Sequence, residues 1–164
     1  FDMLQKNEAD LVFTLDSHIY NSEYMICAER EEAVHFIAAA DHPILARKAL
    51  DLEMLCTEEF VLTEQDMSYR KLLDRELAAR SMEVSPVLEI GNPLQICEIV
   101  KNSRLLSFLP DFISQGYVQS GQLQTLDVAD CQVKVWTQLL IHKNKWRSSA
   151  LSAFISYYRN VMQE

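Results

Sequence analysis

The 164-residue chain is 49% hydrophobic and 24% charged with a formal net charge of −9, the balance of a globular protein able to bury a core as one domain or two small lobes. No stretch approaches the roughly 20 uninterrupted apolar residues of a membrane span, no basic, hydrophobic leader opens it, and the acidity argues against direct nucleic-acid binding, which needs a concentrated basic surface. Cys27, Cys56, Cys97 and Cys131 are widely spread in apolar neighbourhoods without metal-ligand spacing, and read as buried free thiols of a reducing cytoplasm, not as a zinc site.

The chain opens on Phe1 instead of methionine, so it reads as an excerpt. Phe1–Asn7 resembles the last turns of a helix, and Ala9–Thr14 is an apolar run suited to a buried parallel strand, followed by a loop over Leu15–Ser22. Met25–Cys27 and Val34–Ala40 are two extended runs parted by the charged turn Glu29-Arg30-Glu31-Glu32. His42, in Asp41-His42-Pro43-Ile44, has no nucleophile or carboxylate pair linked to it and reads as a structural turn residue. Leu50–Leu55 is a short helical turn, and Glu59–Glu64 a strand.

Gln65-Asp66 then caps a predicted helix over Met67–Ala79, with Asp66 as its N-cap. Leu72, Leu73 and Leu77 fall on its inward side, and Arg70, Lys71, Arg75 and Glu76 on a solvated face. Val84–Ile90 reads as a strand. Gly91-Asn92-Pro93 is a helix start: Asn92 caps the exposed amides, and Pro93 suits a first position that needs no N–H. Leu94, Ile96, Cys97 and Val100 follow at mostly helical spacing, and Leu105–Leu109 is a second apolar run closed by Pro110. Strand, capped helix and strand make a βαβ unit and imply a parallel sheet. Ligands of such sheets sit beyond the carboxyl ends of the strands, near helix N-termini. That places Asn92 and the Phe108-Leu109-Pro110 corner at a candidate binding surface.

Asp111–Gln119 reads as a short helix, and Gly121–Leu126 and Lys134–Ile141 as strands. Trp136 and Trp146 read as packing and hinge-side residues. Ser148 caps a last helix whose apolar stripe is Leu151, Phe154, Ile155, Tyr158 and Met162.

Several short motifs recur here in a familiar order: Asp10-Leu11, His42-Pro43, Gly91-Asn92-Pro93-Leu94, Val100, Leu109-Pro110 and Gly121-Gln122-Leu123. Over nearly its whole length the chain resembles the effector-binding domain of LysR-type transcriptional regulators. The family's V-x-x-G-x-G-I segment has Ser103 and Leu105 in place of its two glycines, which leaves Asn102 as the natural left-handed helix cap. The resemblance implies an α/β, two-lobed periplasmic-binding-protein-like (type II) fold with mixed, mainly parallel sheets. Residues 1–57 and 144–164 would form lobe I and residues 58–143 lobe II, with inter-lobe crossings near Cys56–Glu59 and Lys143–Trp146. The family's first strand, helix and strand are not in this sequence, and without them the sheet of lobe I would keep an exposed edge.

No catalytic constellation is legible: G-x-S-x-G, a P-loop and H-E-x-x-H are absent, and three glycines are too few for a phosphate-cradling loop. The expectation is therefore a non-enzyme without cofactor or metal. By resemblance, a small effector would bind between the lobes against Thr14, Ser17 and Cys27 of the first and Thr63, Gln65, Asn92 and Phe108 of the second. Free amides at Asp66–Ser68 and Asn92–Leu94 favour a small organic anion, whereas Glu64 and Asp66 favour an amine-bearing, amino-acid-like ligand. The implied protein is a cytoplasmic bacterial regulator, a homodimer pairing lobe one against lobe two, or a tetramer, that touches DNA only through a separate N-terminal winged helix-turn-helix. The alternative is a solute-binding protein of a transport system, against which four unpaired cysteines count.

Overall fold

A computed structural model describes residues 1–161, so Met162 of the last helix lies outside the described residues. The fold is α/β, in two compact units. Unit 1 is Phe1–Glu31 together with the chain from Val135 onward, and unit 2 is Glu32–Lys134. The two compact units divide at 31/32 and 134/135. The reason is one long strand, β2 (Tyr24–Ala39), which starts in unit 1 and ends in unit 2. Glu29-Arg30-Glu31-Glu32 is therefore no turn. Residues 24–39 hold no Gly, Pro or Asn to break the run, and a strand tolerates charges wherever a side chain reaches solvent.

In unit 1, a single turn of helix α1 (Asp2–Gln5) precedes β1 (Val12–Asp16), which pairs antiparallel with β7 (Val133–His142). β1 is half-exposed and antiparallel, not buried and parallel. Helix α6 (Ser149–Val161) packs Leu151 and Ile155 on Cys27, Leu139 and Ile141, with Tyr158 at the margin. Ser148 Oγ accepts from the Leu151 amide at 3.1 Å, the expected cap, while Phe154 stays 46% exposed. Trp136 is half-buried and edge-on to His18 at 4.6 Å, but Trp146 is 81% exposed and packs little. Gln138 is fully buried and orders the loop after β1. Its Oε1 accepts from the Ile19 amide at 2.8 Å, its Nε2 donates to Glu29 at 3.1 Å, and its carbonyl accepts from Thr14.

In unit 2, the end of β2 pairs antiparallel with β5 (Ser107–Pro110) along one edge and β6 (Leu123–Leu126) along the other. A 3₁₀ turn over Pro43–Ala46 follows β2. His42 is structural there, its ring accepting from the Ile44 amide and bonding the Arg104 carbonyl at 2.9 Å. Helix α2 (Leu52–Leu55) is capped by Asp51. β3 (Val61–Leu62) then lies between two parallel neighbours: β4 (Leu88–Glu89), in register Val61↔Leu88, and the start of β5, through Phe60↔Leu106. The chain passes β3, α3 (Ser68–Ala78), β4, α4 (Pro93–Lys101), β5, so the βαβ unit exists, with β3 lying inside it. Mainly parallel sheets are not what forms, however. The pairings of β1–β7, β2–β5 and β2–β6 are antiparallel, and β3–β4 is parallel over two residues. Helix α5 (Asp111–Gln119) is capped by Ser120 and followed by Gly121, whose φ of 71° lies in the left-handed region that favours glycine.

Three local readings change. β4 is two residues long because Pro86 has no N–H to give a ladder. Asn102 is not left-handed (φ −110°); its amide and side-chain nitrogen bond the Ile99 and Glu98 carbonyls instead, closing α4 without a glycine. α3 starts at Ser68 with no side-chain cap, so Asp66 is not its N-cap.

Gln138→Leu should lower the free energy of unfolding by about 2–4 kcal/mol, because it leaves the Ile19 amide without its acceptor and takes one of two donors, the other being His18, from the Glu29 carboxylate. Urea denaturation reads the loss, and faster hydrogen exchange at Ile19 locates it.

Candidate functional site

The carboxyl ends of β3 and β4 lie side by side, and each leads into a helix. Ile90 donates its amide to the Leu62 carbonyl at 3.0 Å, which keeps the two strand ends level. Beyond β3 come Thr63, buried, and the exposed turn Glu64-Gln65-Asp66; beyond β4 come Gly91 and Asn92, both exposed. The two loops touch. A Cβ on Gly91 would lie 3.3 Å from the Glu64 carboxylate, so a residue without a side chain lets them approach.

The helix starts differ in chemistry. Asn92 Oδ1 accepts from the Leu94 amide at 3.0 Å, as the sequence predicted, and Pro93 has no N–H to leave open. At α3 the N-cap Met67 makes no side-chain cap, and its amide donates to the Glu64 carbonyl at 3.1 Å. The start of α3 presents the positive end of the helix dipole. A small anion fits such a surface, and the Glu64 carboxylate beside it accepts from a ligand hydroxyl or amine.

Beneath both loops lies Arg70, which the helical pattern put on the solvated face of α3 and which is 3% exposed. Its guanidinium donates to the Thr63 carbonyl at 2.8 Å, to Asp74 at 2.9 Å and to Glu89 at 3.1 Å. It thus ties the end of β3, the first turns of α3 and the end of β4 to one cation. It also forms part of a groove of about 710 Å³ lined by Gln65, Asp74, Met82, Pro86 and Leu88. The sequence carried one signal for it: Arg70 and Asp74 stand at i,i+4, and Glu89 closes the only charged position of β4.

Of the predicted site residues in unit 2, Thr63, Gln65 and Asn92 therefore belong to adjoining loops. Phe108 does not reach that surface; it is 2% exposed and its ring packs on Phe36 at 4.7 Å. In unit 1, Thr14 is half-buried on β1 and its hydroxyl donates to the Gln138 carbonyl, while Ser17 is exposed and turned onto Asp16. Cys27 lies 3% exposed in the apolar cluster of unit 1, where burial pushes its thiol up. All four cysteines are free, and burial holds the Cys97 thiol at about 11, a neutral side chain at ordinary pH. Among the described residues no three His, Cys, Asp or Glu side chains gather as a metal-binding group, and no helix is long and apolar enough to cross a membrane.

The chain matches the family model described as the LysR substrate binding domain over residues 1–163. It is 28% identical, over 99% of its length and 55% of that protein's, to the uncharacterized HTH-type transcriptional regulator YwqM of Bacillus subtilis. It is 25% identical, over 93% and 50% respectively, to the RuBisCO operon transcriptional regulator of Allochromatium vinosum. The chain spans about half the length of the curated relatives it matches. Among solved structures, the regulatory domain of Synechocystis CcmR in complex with 2-PG superposes with a TM-score of 0.79 at 20% identity, covering 98% of this chain and 76% of that one. The effector binding domain of QuiR in complex with shikimate gives 0.75 at 16% identity, covering 98% and 75%. These two show a shared fold.

Arg70→Met should cost about 2–4 kcal/mol of stability, since the Thr63 carbonyl loses its donor and two carboxylates lose their shared cation. Urea unfolding measures it. Arg70→Lys should recover only part, because a point charge cannot reach three acceptors in the fork geometry of a guanidinium.

Proposed function

This chain belongs to the LysR substrate binding domain family, and from that premise we propose that it is the effector-sensing part of a bacterial LysR-type DNA-binding transcription factor. The observation that carries the proposal is the pair of helix starts at the ends of parallel β3 and β4, where Thr63, Gln65 and Asn92 adjoin. In this reading those residues of unit 2 bind a small organic anion, and in unit 1 Thr14 on β1 and Ser17 just after it are separate candidate contacts. Cys27 and Phe108 act from the core, by packing, and not as contacts. DNA is engaged by a separate N-terminal domain, the protein assembles as a homodimer or tetramer, and it works in the cytoplasm.

An anion is favoured over an amine because helix-start amides are fixed donors, whereas Glu64 and Asp66 are exposed and screened by water. Shikimate, named with QuiR, is a hydroxylated carboxylate and has the groups this surface matches: an anion for the amides and hydroxyls for Glu64.

The test is a thermal-shift screen of small carboxylates, phosphates and amino acids on the chain, followed by titration calorimetry of the hits. Asn92→Asp keeps the cap, so the free chain should melt close to wild type. Its new negative charge should weaken an anionic hit at least tenfold. An unchanged or tighter anion would refute the assignment, and a hit confined to cationic amines would replace the anion with an amine.

A further inference from the structure

Unit 1 has a hollow of about 360 Å³ that the anion surface of unit 2 does not use. It lies between the loop after β1, over residues 19–22, and the first residues of β2, with buried Leu140 of β7 among its walls. That volume is at the small end of ligand pockets, which run from roughly 300 to 1,000 Å³. It has room for one ring with a short substituent. The surrounding loop is already fixed. Gln138 bonds both backbone groups of Ile19, at 2.8 and 3.4 Å. The Asn21 carbonyl accepts from the Tyr24 amide at 3.0 Å, and its side-chain oxygen from the Glu23 amide at 2.9 Å. The Lys143 amide ties the Glu23 carbonyl to the end of β7 at 2.9 Å.

Two tyrosines line the hollow, and they differ. Tyr24 packs on Phe1 at 5.0 Å and edge-on to His142 at 6.2 Å, so one aromatic wall is held. Tyr20 is 90% exposed, with its ring 5.6 Å from His18. A phenol ring left in water beside an apolar hollow gains by covering whatever fills it. The lining also decides which charge is excluded. None of its residues is Asp, Glu, Lys, Arg or His, in a chain that is 24% charged. Arg147 contacts the Met25 sulfur without itself lining the hollow. A charged ligand would give up its hydration there with no counter-charge in return. The polar groups of the lining are the Tyr20 and Ser22 hydroxyls and the Asn21 amide nitrogen, which match one neutral polar substituent.

We propose that this hollow is a second small-molecule site, which takes an uncharged single-ring aromatic compound with Tyr20 folding over it. The inference goes beyond the anion reading and stands apart from it, since the helix starts concerned there are in unit 2.

The test uses the whole chain and four probes of similar size: phenol, benzyl alcohol, cyclohexanol and sodium benzoate. Amide ¹⁵N shifts locate binding, and their titration gives affinity. Phenol and benzyl alcohol should shift the amides of residues 19–26 and Leu140 saturably. Benzoate, which adds a charge, and cyclohexanol, which lacks an aromatic face, should bind at least about fivefold more weakly. Tyr20→Ala should melt close to wild type, because that ring is exposed, yet weaken phenol about fivefold. Tyr20→Phe, which keeps the ring, should retain most of the affinity. No saturable shift at residues 19–26, or shifts at the ends of β3 and β4 instead, would overturn the proposal. So would benzoate or cyclohexanol binding as tightly as benzyl alcohol, or Tyr20→Ala binding phenol like wild type. The anion surface is read at Thr63–Ser68 and Gly91–Leu94 with carboxylates, so either site can fail without the other.

Discussion

The two loops beyond β3 and β4 in unit 2 depend on the position of one buried cation. β3 and β4 pair over two residues each, too short a ladder to hold the loops beyond them in register. Arg70 supplies the missing constraint from α3, bonding the Thr63 carbonyl at the end of β3 and Glu89 at the end of β4, with Asp74 completing its fork. A guanidinium suits this corner because its donors are planar and fixed, and because it keeps its charge when buried. The cost of taking it out of water is offset by three acceptors, two of them carboxylates that keep part of their own hydration. With the strand ends fixed, Gly91 can pass close to Glu64, and Asn92 can cap α4 beside the uncapped start of α3.

Unit 1 solves a similar problem with a neutral group. Gln138, buried on β7, satisfies both backbone groups of Ile19 and one oxygen of Glu29, and its own carbonyl takes the Thr14 hydroxyl. His18 bonds the same Glu29 oxygen at 2.8 Å and lies edge-on to Trp136. The loop after β1 is thereby ordered by buried side chains of the sheet. In both units, a buried polar side chain fixes the loop that follows a strand end.

Much of this was legible because it rests on local chemistry. Asn92-Pro93 specifies a helix start whatever surrounds it, Ser148 and His42 bond their own neighbours, and the apolar spacing of Leu151 and Ile155 marks a buried stripe. What was not legible depends on partners distant in sequence. The charges at Glu29–Glu32 look like a turn, yet those residues are strand because β2 runs unbroken through them. Sheet direction was misread for the same reason: β1 and β7 are separated by more than a hundred residues, and apolar content does not reveal which way a partner runs. Arg70 falls on the charged side of a helical wheel, and only the Thr63 carbonyl and Glu89, brought in by the fold, turn that side inward. Cys27 and Phe108 were read as contacts from the position of family motifs, and the packing places both in cores.

The central claim is that the ends of β3 and β4 form the ligand surface. A ¹⁵N amide titration of the chain with the best carboxylate from the screen tests it most directly. The account predicts saturable shifts concentrated in Thr63–Ser68 and Gly91–Leu94. Shifts confined to residues distant from both strand ends, for example to the cavity of unit 1 lined by Asn7, His142 and Lys145, would contradict it.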